Sequence, residues 1–140
     1  MKKKVIATMM AGVLLTGCFG TTAMAGNVRD STFDFYVTNS YKFTETRPKE
    51  DATSTYVLLH SAPTRFVYCG VQGLLPDGSH IDKTLGGHDV LMPLGEWEVR
   101  QTVYEDGCPA ARLKFKQVTI EGYAAGKWSP DCVGHFPALN

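Results

Sequence analysis

The sequence predicts an all-β fold, a small antiparallel β-sandwich, immunoglobulin-like or similar, preceded by a signal peptide. Two observations predict it. Short stretches in which apolar and polar residues alternate recur along the chain, while helical periodicity is almost absent after residue 25. Proline and glycine punctuate those stretches at short intervals, as in domains built from about seven short strands.

The leader comes first in the chain. Lys2, Lys3 and Lys4 precede an apolar run from Val5 to Leu15, and Ala23-Met24-Ala25 supplies a small-residue exit, so residues 1–25 read as a signal peptide. The run is shorter than the roughly 20 apolar residues that span a bilayer. Within it, Leu15-Thr16-Gly17-Cys18 also has the form of a lipoprotein processing site, at which Cys18 would carry a lipid. The secretory cut before Gly26 accounts for the whole stretch and is the preferred reading, with secretion as the expected localisation. Lipid anchoring on the outer face of the cytoplasmic membrane through Cys18 is the alternative. Loss of three lysines leaves 11 Lys and Arg against 14 Asp and Glu, a formal charge of −3. No basic patch points to nucleic acid, and contact with a membrane is expected only through a lipid on Cys18.

After the leader, residues 26–53 read as an N-terminal strand and a polar linker. Phe33, Phe35 and Val37 alternate with Thr32, Asp34 and Tyr36, which predicts a strand at about 33–38. Residues 39–53 are polar, with Pro48 inside a charged run, and read as a loop or a poorly ordered linker. Residues 54–140 read as the sandwich core and a C-terminal tail. Strands are predicted at 55–60 and 65–72, separated by Ala62-Pro63, then at 81–84 and 89–92. Pro76-Asp77-Gly78 and Gly86-Gly87 mark turns. Strand, Pro93-Leu94-Gly95 corner and Trp97 in sequence suggest a change of sheet.

From 96 to 120 the alternation is clearest. Trp97, Val99, Gln101 and Val103 face one way, and Ala111, Leu113 and Phe115 alternate with Arg112, Lys114 and Lys116 beyond a turn at Glu105-Asp106-Gly107. This predicts a hairpin in which Glu98 and Arg100 pair with Lys116 and Lys114 across the solvent face, with a β-bulge near residues 116–117 absorbing the phase slip before Val118 and Ile120.

Three cysteines follow the leader. An oxidising compartment predicts one disulfide and one thiol left over. Cys108 and Cys132 are the expected pair, because the chain leaves the turn and returns over similar lengths, and such a loop closure is worth on the order of 3 kcal/mol. Cys69, in phase with Val67 and Val71, is the expected free buried thiol, with pairing to Cys108 or Cys132 as the alternative.

Chemistry-bearing motifs are sparse. Cys132 and His135 have a ligand-like spacing without a second ligand pair, and His80, Asp82, His88 and Asp89 show no matching spacing, so no metal or other cofactor is expected. Gly-x-Ser-x-Gly, His-Glu-x-x-His and phosphate-cradling glycine loops are missing, and no catalytic residue is assigned. A pair of carboxylates across a cleft, as a glycosidase uses, is not testable from sequence. Aromatics are numerous, including Tyr36, Tyr41, Phe43 and Tyr123; Tyr56, Tyr68 and Tyr104 lie out of phase with the apolar faces of their strands and are the candidate contact surface.

Gly126-Lys127-Trp128-Ser129-Pro130-Asp131, Tyr104-Glu105-Asp106-Gly107 and Ala111-Arg112-Leu113 together resemble small exported proteins of Gram-positive bacteria, in which a β-rich domain ends in a Trp-Ser-Pro-Asp element. The resemblance covers roughly residues 54–132 and implies secretion and a sandwich-like fold, with no catalytic residues. The spacing of Ser54-Thr55-Tyr56 and His60-Ser61-Ala62 is similar to that of lactococcin-972-like exported bacteriocins, also short β-sandwich proteins. The leading expectation is therefore a non-enzymatic exported β-sandwich that binds a protein or glycan at or outside the cell surface. A bacteriocin-like antagonist and a surface hydrolase are the alternatives.

Overall fold

A computed structural model of the chain describes residues 26–139. The signal-peptide reading and Cys18 lie outside the described residues. Eleven strands are described: β1 Ser31–Val37, β2 Lys42–Phe43, β3 Arg47–Pro48, β4 Thr55–Ser61, β5 Phe66–Leu74, β6 His80–Asp82, β7 Val90–Pro93, β8 Gly95–Val99, β9 Ala110–Lys116, β10 Gly122–Ser129 and β11 Ala138–Leu139. One 3-10 turn, Pro63–Arg65, joins β4 to β5.

The strands form two sheets. A five-stranded sheet runs in the order β11-β8-β4-β10-β1, antiparallel except for the parallel pair of β11 and β8. The six-stranded sheet is built on β5 and β9: β6 and β7 pair with β5, whereas β2 and β3 pair with β9. Period-two alternation aims one set of side chains from each sheet inward. Phe33, Val37, Val57, Leu59, Ala124 and Trp128 meet Val67, Val71, Met92, Leu113 and Phe115 in one core. The rings of Phe33 and Phe115 lie 4.6 Å apart across the two layers. Full burial of each large apolar side chain stabilises the sandwich by about 1.5–3 kcal/mol. The fold is thus the predicted all-β sandwich, and the corner at Leu94 does carry the chain from the six-stranded sheet (β7) to the five-stranded sheet (β8). There Trp97 Nε1 donates to Pro93 O at 2.8 Å.

The expected hairpin from 96 to 120 does not form. Its two strands are β8 and β9, and they lie in opposite sheets, each aiming its apolar residues at the shared core. The turn at 104–107 exists, but it is a connection between sheets, tied by Cys108 N to Val103 O at 2.9 Å and by Lys83 to Asp106 at 2.8 Å. Glu98 accepts from Phe136 N instead, and Lys114 is buried between Asp82 at 2.9 Å and Asp89 at 3.3 Å. No bulge is needed at 116–117, because β9 ends at Lys116 and Ile120 is exposed.

Residues 39–53 are not a linker. They supply β2 and β3 to the edge of the six-stranded sheet and place two cations in the interior, Arg47 and Lys49. Lys49 Nζ donates to the carbonyls of Asp51 at 2.7 Å and Thr53 at 2.6 Å and to Asp131 Oδ1. Both side chains of the ion pair of Lys49 and Asp131 are fully buried. The other carboxylate oxygen of Asp131 accepts from Asn27 N at 2.6 Å and Glu50 N at 2.9 Å. Burial pushes the Asp131 carboxyl upward, but the amides of Asn27 and Glu50 and the Lys49 ammonium outweigh it and hold it below the usual carboxylate range. Arg47 caps the Trp128 ring at 5.5 Å and donates to Trp128 O and Arg29 O. The Trp-Ser-Pro-Asp element is therefore the inner half of a clasp whose outer half is the charged run at 47–51.

Candidate functional site

The five-stranded sheet turns one face to solvent, and its middle is irregular. From Tyr56 to Leu59, β4 pairs with β10 in even register, Leu59 facing Gly126; the next pair is Ser61 with Ala125. One extra residue, His60, is thus inserted in β4 and left without a partner, which is a β-bulge. Gly126 sits opposite because nothing larger fits: a Cβ there would overlap the Leu58 carbonyl oxygen and approach the Phe33 ring at 2.9 Å.

A shallow groove of about 400 Å³ lies beside the bulge on the outer face. Leu58, Ala125 and Gly126 form its floor, and Asp34, His60 and Lys127 stand around it. Lys127 pairs with Asp30 at 3.0 Å in a half-exposed contact. One step along the same face, Tyr36 and Tyr123 are directly opposed on β1 and β10, their rings edge to face at 5.1 Å. Tyr36 Oη donates to Glu121 at 2.9 Å, and that hydrogen bond raises the phenol above its ordinary range. Tyr123 is 68% exposed, the most exposed large apolar side chain among the described residues. The face thus offers a fixed aromatic pair, an apolar floor with backbone accessible at Gly126, and a rim carrying acceptor, donor and imidazole.

The predicted tyrosines do not share a surface. Tyr56 is buried: its ring packs on Phe136 at 5.0 Å and its hydroxyl donates to Glu96 at 2.6 Å. Tyr68 is half-buried on β5, in the opposite sheet, and Tyr104 is exposed in the turn between sheets. Tyr36 was legible, since it stands opposite the phase of Phe33 and Val37; Tyr123 was not, because glycine and alanine around it hide the strand period.

The expected bridge between Cys108 and Cys132 is not formed, and all three thiols are free. Cys108 faces the core against Gly73, where a Cβ would lie 2.8 Å from its Sγ. Cys132 lies in a shallow hollow beside Thr53, Glu98 and His135, after the Asp131 anchor has fixed the chain direction. Burial, aided by Glu98 and Asp51, pushes its thiol up to about 11. Cys69 is fully buried, and burial raises its thiol further still. Among the described residues no three His, Cys, Asp or Glu side chains group to hold a metal ion, and no helix is long and apolar enough to cross a membrane.

Fold and groove define an all-β sandwich with an open, aromatic-flanked outer face. A family described as "Protein of unknown function (DUF2712)" matches residues 21–132, and the chain belongs to that family. No curated protein and no solved structure matches the chain.

Proposed function

We propose that the chain is exported, cut before Gly26, and acts as a non-enzymatic binding module for a glycan at or outside the cell surface. The observation that carries the reading is the groove at Gly126 with the Tyr36 and Tyr123 pair beside it. Tyrosine combines an apolar ring with a polar tip, which suits the apolar face and hydroxyl rim of a sugar. Edge-to-face packing holds Tyr123 in place, so little side-chain freedom is lost on binding. Charges of both signs stand at the rim, Asp34 against Lys127, which favours a neutral hydroxyl-rich ligand over a polyanion or polycation.

The test is titration of the Gly26-started chain with isolated cell-surface polysaccharides and neutral oligosaccharides, followed by amide chemical shifts. Shifts confined to β1, β4 and β10 are expected, with at least a tenfold loss of affinity in Tyr123→Ala. No shift with any glycan, or shifts unaffected by that substitution, refutes the reading. Clearing of related strains in an inhibition-zone assay would replace it with the antagonist.

A further inference from the structure

We propose that cleavage before Gly26 creates part of the fold: the new α-ammonium of Gly26 becomes the cation for Asp51, inside the clasp that holds Lys49 and Asp131. This rests on the reading that the chain is cut before Gly26.

Three observations place the amine. Asn27 is fixed by its neighbours on every side: its N–H donates to Asp131, its Nδ2 to Pro48 O at 2.9 Å, its carbonyl accepts from Asp131 N at 3.2 Å and its Oδ1 from Arg47 at 2.9 Å. Gly26 is consequently held against the clasp, with φ +109. A Cβ at Gly26 would overlap Asp51 Oδ2 and lie 3.4 Å from Asp131 Cβ, so covalent geometry puts the Gly26 nitrogen within about 5 Å of that carboxylate oxygen.

Asp51 is the clasp's unmatched carboxylate. Its Oδ1 is taken by the Thr53 N–H and hydroxyl, while among the described residues no hydrogen bond reaches Oδ2. Lys49 stands 3.9 Å from Asp51 Oδ1 and directs its own hydrogen bonds to two carbonyls and to Asp131. The charged groups facing Gly26 are thus Asp51, Asp131 and Lys49, with Arg47 one residue away on Asn27 and the exposed Glu50 beyond. An ammonium at Gly26 balances this set; an amide bond to residue 25 does not. The clasp also explains a glycine just after the cut, where the small-residue rule for signal peptides asks only for Ala23 and Ala25.

Linkage gives a signature. An amine gaining a carboxylate partner has its folded-state pKa raised above the ordinary range of about 7.7–8.0. Its stabilisation is fully present below that range and is lost as pH rises through the raised value.

The test compares the Gly26-started chain bearing a free amine, the same chain acetylated at that amine, and a chain extended by Ala25. Each is made with Asp51 and with Asp51→Asn, and urea unfolding is followed at pH 6 and pH 10. The expected result is an unfolding constant about three- to tenfold larger in the acetylated and extended chains at pH 6. That difference should vanish at pH 10 and in the Asp51→Asn background. Equal stability of free and blocked chains at pH 6, or a difference that survives Asp51→Asn, overturns the ammonium link. Intact mass of the exported protein tests the cut separately. A chain beginning at Gly26 supports it, whereas a lipidated chain beginning at Cys18 overturns the cut whatever the prepared chains show.

Discussion

Asp131→Asn tests the clasp most directly. Asp131 and Lys49 have no exposed side-chain surface. The two oxygens of Asp131 serve donors on opposite sides: Oδ1 takes Lys49 Nζ and, at 3.4 Å, Asp51 N; Oδ2 takes Asn27 N and Glu50 N. An asparagine keeps one oxygen and must turn an NH2 toward one of those sets of donors. Two charge-assisted hydrogen bonds are lost, at about 1.5–3 kcal/mol each, and Lys49 stays buried with its carbonyls and only the longer 3.9 Å contact to Asp51 as counter-charge. The expected cost is about 4 kcal/mol, within the range of about 3–5 kcal/mol for breaking a buried pair. In urea, with a slope of about 1.5 kcal/mol/M, the midpoint at pH 7 should fall by about 2.7 M. The pH profile adds a sign. The Asp131 carboxyl is held low, so its stabilisation is present above the unfolded value of about 3.9 and is lost as pH falls through the folded one. The gap between wild type and variant should therefore narrow below about pH 4. A midpoint shift under about 0.5 M at pH 7, or a gap independent of pH, would refute the assignment of Asp131 as the buried anchor.

Two further outcomes follow from close packing and from burial. Gly126→Ala should cost about 3 kcal/mol in urea melts, because its Cβ meets a backbone carbonyl that cannot move without unpairing β4 from β10; wild-type stability in that variant would remove the reason given for glycine opposite the bulge. Thiol-specific labelling of the folded protein should reach Cys132 alone, slowly at neutral pH, with Cys69 and Cys108 labelled only after unfolding. Rapid labelling of Cys108 in the folded state, or a mass deficit of one disulfide, would contradict that arrangement.

The strands themselves were readable because alternation is a local property: Val57 and Leu59, or Val67, Cys69 and Val71, carry their burial in their spacing. Partnership is not local. β8 and β9 look like a hairpin since both alternate and a turn lies between, yet each finds its hydrogen-bond partners in a different sheet, on β4 and β5. The charged run at 47–51 looks solvated for the same reason. Nothing near Lys49 in sequence hints that its counter-ion is Asp131, and the tail motif shows no sign that it is half of a clasp. The groove was hidden as well: His60 reads as one more strand residue, and only the register against Gly126 exposes the bulge.

Synthesis runs from the N-terminus, and Lys49 leaves the ribosome 82 residues before Asp131. At about 5–20 residues per second that gap lasts about 4 to 16 s. Throughout it, the Lys49 cation lacks its buried counter-ion Asp131, and β1 lacks β10, the one strand among the described residues that it pairs with. The clasp and the seat of β1 in its sheet therefore cannot form before the tail around residues 122–131 has been made.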